Sequence, residues 1–250
     1  MPSPRLDEFF ATPLHWTCTV TEDRKNECNL SIWPVVLGLS GAQLGGTTGW
    51  EAHAGTSLAL QVPDQWTGRI WVRVSLHSHF RPGQDGDSTC ESGGCSDGLI
   101  CKSNFGGPPA SLIELTTSDQ MDYYDVSLMD GYNLPVRVLP DDSTCSPAEC
   151  LVNMLPSCPV ELQTRNAVGA TVACMSSCYA KLDANPTNSS NCCSGSFTTP
   201  DMCTTDGVKY YTYFHGNCPS VYASAFDDRT WNNALHTCNK KSGFTVSFCP

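Results

Sequence analysis

The run DYYDVSLMDGYNLP, from Asp122 to Pro135, sets Asp122, Asp125 and Asp130 among aromatic and β-branched residues that otherwise spell one buried strand. Two carboxyl groups that meet in a cleft can hydrolyse a glycosidic bond, one protonating the leaving oxygen and the other serving as nucleophile or as base for water. The same residues also have a local use. Tyr123 to Leu128 reads as a strand with one wet face, and Asp130-Gly131 as a turn pair in which Asp is common. On a regular strand Asp125 and Ser127 share one face while Val126 and Leu128 share the other. Asp130, five residues beyond Asp125, then falls on the wrong side. Only a bend or bulge near Met129-Asp130 aims both carboxylates together.

The elements that must position these groups are short strands. Leu30 to Leu37, Ser57 to Val62, Arg69 to Leu76, Ser111 to Thr116, Tyr123 to Leu128, Leu134 to Leu139 and Phe244 to Phe248 are β-prone runs with turn signals between them. Such a series without long helical patterns predicts a mainly β fold, a sandwich or barrel. From Cys145 to Cys238 the texture changes to many cysteines, Ser, Thr, Asn and Pro, as expected of a lobe held by bridges. Within it, AVGATVACMSSCYAKL sets Cys174 and Cys178 four residues apart, which predicts a helix carrying both on one face. The glycines and close cysteines of DSTCESGGCSDGLIC predict a small disulfide knot over 86–103. The expected layout is an N-terminal extension over 1–27, a sandwich core over 28–144 plus 239–250, and a cysteine-rich lobe with short helices over 145–238.

Composition narrows the classes of function. The chain has 250 residues, and its 14 Lys and Arg against 25 Asp and Glu leave a formal charge of −11. Binding to nucleic-acid phosphates is therefore not expected. No apolar run approaches the roughly 18 residues that a membrane span needs. MPSPRLDEFF lacks the apolar core of a secretory signal, so the expectation of secretion rests on the 16 cysteines. An even, high count with Cys192 and Cys193 adjacent and no repeated CxxC pairs suits an oxidised framework better than zinc or redox chemistry. Sequons at Asn29 and Asn188 allow N-glycosylation, and proline excludes the one at Asn185.

Other constellations are weaker. His77 and His79 offer two imidazoles on one strand face but no third metal ligand. His53, His215 and His236 stand without catalytic context, and no nucleophile elbow is present. LSGAQLGGTTGW lacks the Lys and following helix of a phosphate loop and reads as a turn. No metal or other cofactor is expected.

Several segments in a fixed order carry a family resemblance: CNLSIWP, RIWVR, CESGGCSDGLIC followed by GGPPASLIEL, DYYDVSLMDGYNLPV, the Cys192-Cys193 pair, YYTYFHGNCPSVYASAFDD and FTVSFCP. Over about residues 28 to 250 the chain resembles the thaumatin-like proteins, also called pathogenesis-related group 5 proteins. The resemblance implies a thaumatin-like β-sandwich core with a disulfide-rich lobe. It implies the pairs Cys28–Cys249, Cys95–Cys101, Cys145–Cys238, Cys150–Cys218, Cys158–Cys174, Cys178–Cys192 and Cys193–Cys203. The chain also departs from the family pattern. Ser92-Gly93-Gly94-Cys95 replaces the usual Thr-Gly-Asp-Cys, and Leu76-His77-Ser78-His79 stands where a cysteine is usual. That leaves Cys18 and Cys90, which are expected to bond and staple the N-terminal extension to the body.

Antifungal members of the family have an acidic cleft formed by one arginine, one glutamate and three aspartates. Position by position these fall on Arg69, Glu114, Asp125, Asp130 and an aspartate of AFDD, for which Asp227 is chosen over Asp228. The resemblance implies β-1,3-glucan as the ligand, weakly cleaved by some members and only bound by others. Glu114 is the expected acid, Asp125 or Asp130 its partner, and Arg69 the residue that sets their charge balance. Tyr124 and Tyr132 could stack on sugar rings, although core packing is the commoner role at their spacing. The expectation is a secreted, monomeric defence protein that binds glucan in an acidic cleft, with endo-glucanase activity or an extracellular structural or signalling role as the alternatives.

Overall fold

A computed structural model describes Cys28 and residues 30–39, 48–60, 62, 65–75, 90–95, 98–101, 107–229, 234–239 and 243–250. Among them the main sheet runs β1 (Trp33–Gly38), β2 (Thr67–Ser75), β4 (Leu112–Thr116), β5 (Met121–Ser127) and β10 (His236–Asn239), with β3 (Cys90–Ser92) paired to the end of β2. A second sheet orders β11 (Phe244–Phe248), β6 (Val136–Pro140) and β7 (Ala148–Cys150). A third pairs β8 (Gln163–Arg165) with β9 (Thr171–Cys174). All of these strand pairings are antiparallel.

Alternation along the strands divides the main sheet into two faces. Ile70, Val72, Ile113, Leu115, Tyr124 and Val126 point inward, where they meet Val136, Val138, Phe244 and Val246 of the second sheet in one buried cluster. This is a β-sandwich core, and each fully buried large apolar side chain contributes on the order of 1.5–3 kcal/mol. The ring of Tyr124 packs at 5.1 Å from that of Phe244.

Among the described residues the opposite face is covered at one end. There Val35, Leu37, Trp71 and Leu112 pack against Ala110 and the Cys95–Cys101 bridge. Arg73 is buried beneath the same cover. Its guanidinium donates to the carbonyls of Trp33 at 3.2 Å, Gly98 at 2.6 Å and Leu99 at 3.0 Å.

All seven bridges that the resemblance implied are present. Cys28–Cys249 joins residues 221 apart in sequence, which removes much freedom from the unfolded chain. The expected Cys18–Cys90 pair involves Cys18, which lies outside the described residues, as do the extension 1–27, Asn29, the turn at 40–47, His77 and His79.

Other expectations are corrected. Ser57 to Leu60 forms no strand and is largely exposed. The helix expected across Cys174 and Cys178 is instead β9 followed by turns. Thr171, Ala173 and Cys174 pair with β8 across a bulge at Val172, and the backbone of Cys174 exchanges two 2.8 Å hydrogen bonds with Tyr132. Those bonds use the groups that a helix would need. A short helix does form at α1 (Tyr211–Asn217), in a segment with no sequence signal for it. Strand β7 and all but the last residue of β10 fall in 145–238, and they pair with β6 and β5.

Candidate functional site

Strand register assembles the site. Arg69 of β2 lies opposite Glu114 of β4, and Glu114 opposite Asp125 of β5. Directly opposed residues share a face, so three side chains from distant parts of the sequence form one row on the open side of the sheet. Arg69 Nε donates to Glu114 Oε1 at 2.7 Å, in a pair that remains partly open to solvent. The next row outward, Thr67, Thr116 and Tyr123, is also set by register. A groove is lined by Thr67, Glu114, Thr116, Tyr123, Asp125 and Leu235.

Asp125 is only 7% exposed. Burial pushes its carboxyl well above the ordinary aspartate range, the Glu114 charge adds to the shift, and Arg69 opposes it. Its Oδ1 has no hydrogen-bond partner among the described residues. Asp130 follows in the turn closed by Gly131 N–H donating to Leu128 O at 2.9 Å. Gly131 is required there: its φ is +105°, and a Cβ would stand 2.5 Å from Cys174 O. The turn leaves Asp130 within the field of the same two charges that act on Asp125. Burial raises its carboxyl, Arg69 lowers it and Glu114 raises it.

Two tyrosines complete the surroundings. The backbone of Tyr222 is zipped to the end of β5 by Leu128 N–H to Tyr222 O at 2.7 Å and Tyr222 N–H to Val126 O at 2.9 Å. Burial, and then the charges of Asp228, Asp125 and Glu114, raise the Tyr222 phenol above its usual range. Tyr179 follows β9, which the Tyr132–Cys174 bridge fixes against the turn after Asp130. Burial raises its phenol, Asp130 adds to the shift and Arg69 opposes it. Sequence reasoning singled out neither residue. Tyr123 was within its reach, because it lies two residues from Asp125 on the same face of the strand.

Three residues expected to contact a ligand are buried. Asp227 is fully buried, and its Oδ2 accepts the N–H groups of Ala223 and Ser224 at 2.8 and 2.9 Å, so it holds its own loop together. Asp228, the neighbour passed over, is the exposed one and pairs with Arg229. Tyr124 and Tyr132 are fully buried, with their hydroxyls donating to the carbonyls of Ser146 and Val152, and they present no ring face to a ligand. Asp122 is also buried, and its Oδ1 accepts Ser118 N–H at 3.1 Å. Asn188 is exposed, and its Oδ1 accepts Ser196 N–H at 2.8 Å. Among the described residues no helix is long and apolar enough to cross a membrane.

The sequence model of the thaumatin family matches residues 26–250. Thaumatin-like protein 1 of Pyrus pyrifolia is 36% identical over 231 residues, covering 90% of this chain and 88% of its own length. A Prunus avium protein named glucan endo-1,3-beta-glucosidase is 34% identical over 231 residues, covering 90% of this chain and 89% of its own length. A solved thaumatin-like xylanase inhibitor is 18% identical with a TM-score of 0.44, covering 89% of this chain and 95% of its own.

Proposed function

We propose that this chain, which belongs to the thaumatin family, is a secreted, monomeric defence protein that binds β-1,3-glucan on the open half of its main sheet. The observation that carries the reading is the row of Arg69, Glu114 and Asp125, with a buried carboxyl oxygen that lacks a partner among the described residues. A buried polar atom of this kind is satisfied when a ligand supplies the hydrogen bond, and sugar hydroxyls are donors that need no charge. The name of the Prunus avium relative supports β-1,3-glucan as the polymer. The bridges support an oxidising compartment.

A second reading, slow hydrolysis of the same polymer, is favoured by one further observation. Glu114 and Asp125 are directly opposed on neighbouring strands, so two carboxyl groups lie side by side on one sheet face. Such a pair can serve as acid and nucleophile in a retaining mechanism or as acid and base in an inverting one. Burial favours the protonated form of Asp125, and protonating Glu114 would give up its ion pair with Arg69. This exchanges the roles expected from sequence, making Asp125 the acid and Glu114 the nucleophile. Asp130 then tunes the local charge.

Two assays on the same samples test both readings. Wild type should sediment with insoluble β-1,3-glucan, and the Arg69→Ala/Glu114→Ala double variant, which removes the ion pair without leaving half of it, should remain in solution. Failure of the wild type to sediment would sink the binding reading. Reducing ends released at pH 4–6 by wild type and not by Asp125→Asn would establish hydrolysis. Binding with no release would leave a lectin.

A further inference from the structure

We propose that Asn188 is the acceptor of an N-linked oligosaccharide on the surface of the cysteine-rich segment. The proposal rests on the secreted reading above and is independent of glucan binding.

The sequon Asn188-Ser189-Ser190 lies just before the Cys192-Cys193 pair. Its three residues have different surroundings. Asn188 is exposed, Ser189 is buried with its hydroxyl donating to Asp183 Oδ2, and Ser190 is half-buried. The backbones of Ser189 and Ser194 exchange hydrogen bonds of 3.3 and 3.0 Å, which closes a tight loop beside Asn188. Across that loop Asn188 Oδ1 accepts Ser196 N–H at 2.8 Å. Gly195 permits the approach: its φ is +63°, and a Cβ there would stand 2.5 Å from Asn188 Oδ1. The amide oxygen is therefore held against the protein. Nδ2, the atom that carries a glycan, has no hydrogen-bond partner among the described residues. Ala184, Asn185, Pro186, Thr187 and Ser196 are exposed around it, so a bulky polar group meets open surface there.

The bridges place the chain in an oxidising compartment, and in eukaryotic cells the route through that compartment also carries out N-glycosylation. In the transfer, Asn188 Nδ2 attacks the anomeric carbon of an oligosaccharide carried on a polyprenyl diphosphate. The N–C bond forms, the bond from that carbon to the diphosphate oxygen breaks, and the diphosphate leaves with the electron pair. The amide proton passes to a basic group of the transferase. In the folded protein the Ser190 hydroxyl donates to Gly207 O at 2.7 Å, which ties up the second recognition element of the sequon. The transfer therefore belongs to the chain before this loop closes, and the fold then presents the product outward.

The test is expression of the full chain behind a cleavable leader in a eukaryotic secretory host. Asn29→Gln is included in every sample, so that Asn188 is the sequon that remains. The secreted protein should lose mass on treatment with peptide-N-glycosidase, which converts the modified asparagine to aspartate and marks it in a peptide map. Adding Asn188→Gln or Ser190→Ala should abolish the mass loss, and Ser190→Thr should keep it. Asn188→Gln retains an amide on an exposed side chain, and peptide mapping without reduction checks that its bridges still form. Secreted protein with its bridges intact and Asn188 unmodified would overturn the proposal and leave the secreted reading standing. A mass loss that survives Asn188→Gln would also overturn it. Retention of every sample inside the host without bridges would bring down both.

Discussion

Arg69 and Arg73 stand four residues apart on one strand and project from the same face of the same sheet, yet their surroundings are opposite. Arg73 lies under the Cys95–Cys101 knot and is fully buried. Its partners are backbone carbonyls from β1 and the knot loop. Burial lowers its guanidinium to about 10, with the charge of Cys90 opposing the shift. Arg69 lies outside the cluster that covers Arg73. It keeps contact with solvent, and its Nε donates to a side chain, Glu114. A charge spent on backbone acceptors serves the fold, whereas one paired on an open face is available to rearrange around a ligand.

The largest expected effect comes from breaking the buried half. Arg73→Met keeps much of the volume and removes the donors, which leaves three carbonyls without that partner. The carbonyls of Trp33 and Gly98 are buried and that of Leu99 is part-buried; each buried orphan costs about 1–3 kcal/mol, so a loss of at least about 2 kcal/mol is expected. Urea denaturation with the bridges intact measures it. A loss under about 1 kcal/mol would mean that water or a rearranged loop serves those carbonyls as well, and the contrast between the arginines would fail.

A second prediction sharpens the contrast through pH. The folded pKa of Asp125 is raised, so the folded state holds its proton at pH values where the unfolded chain, with an aspartate pKa near about 3.9, has released it. The contribution of Asp125 to stability is therefore greatest at low pH and is lost as pH climbs from about 4 through the folded value. Glu114, Arg69 and Tyr222 are the ionisable groups facing it. Asp125→Asn removes the cost of ionising the site. The variant should be more stable than wild type at pH 7, with the gain shrinking toward pH 4, as read from denaturation midpoints at both values. A constant difference would show that Asp125 does not titrate in that window.

Much of the fold was legible because its signals are local. The alternation in RIWVR, SLIEL and DYYDVS marks β2, β4 and β5 directly, and the family pattern carried the seven bridges. The short strands β3, β7, β8 and β9 have three or four residues each, too few to show a period. The site was legible in residue type but not in depth. Within one run, Asp122 caps a turn, Asp125 lines the groove and Asn133 disappears into the core, where its amide bonds Val72 O and Ser92 Oγ. All three are polar residues in the same stretch of sequence, and register and burial alone separate them. Asp227 and Asp228 are separated in the same way, because nothing local says which of two adjacent aspartates the loop will turn inward.

The smallest effect is expected at the open pair. Arg69 and Glu114 have side chains 29% and 35% exposed, so water screens their attraction and side-chain entropy offsets part of what remains. A double-mutant cycle with Arg69→Gln and Glu114→Gln should give a coupling energy within about 1 kcal/mol, and added salt should reduce it further. The same two substitutions should nevertheless weaken glucan retention, because in the proposed function the row contacts the ligand and does not hold the sheet together. Backbone pairing between β2 and β4 already does that. A coupling above about 2 kcal/mol, insensitive to salt, would place Arg69 with Arg73 as a fold-holding residue and would remove the open pair from the proposed recognition chemistry.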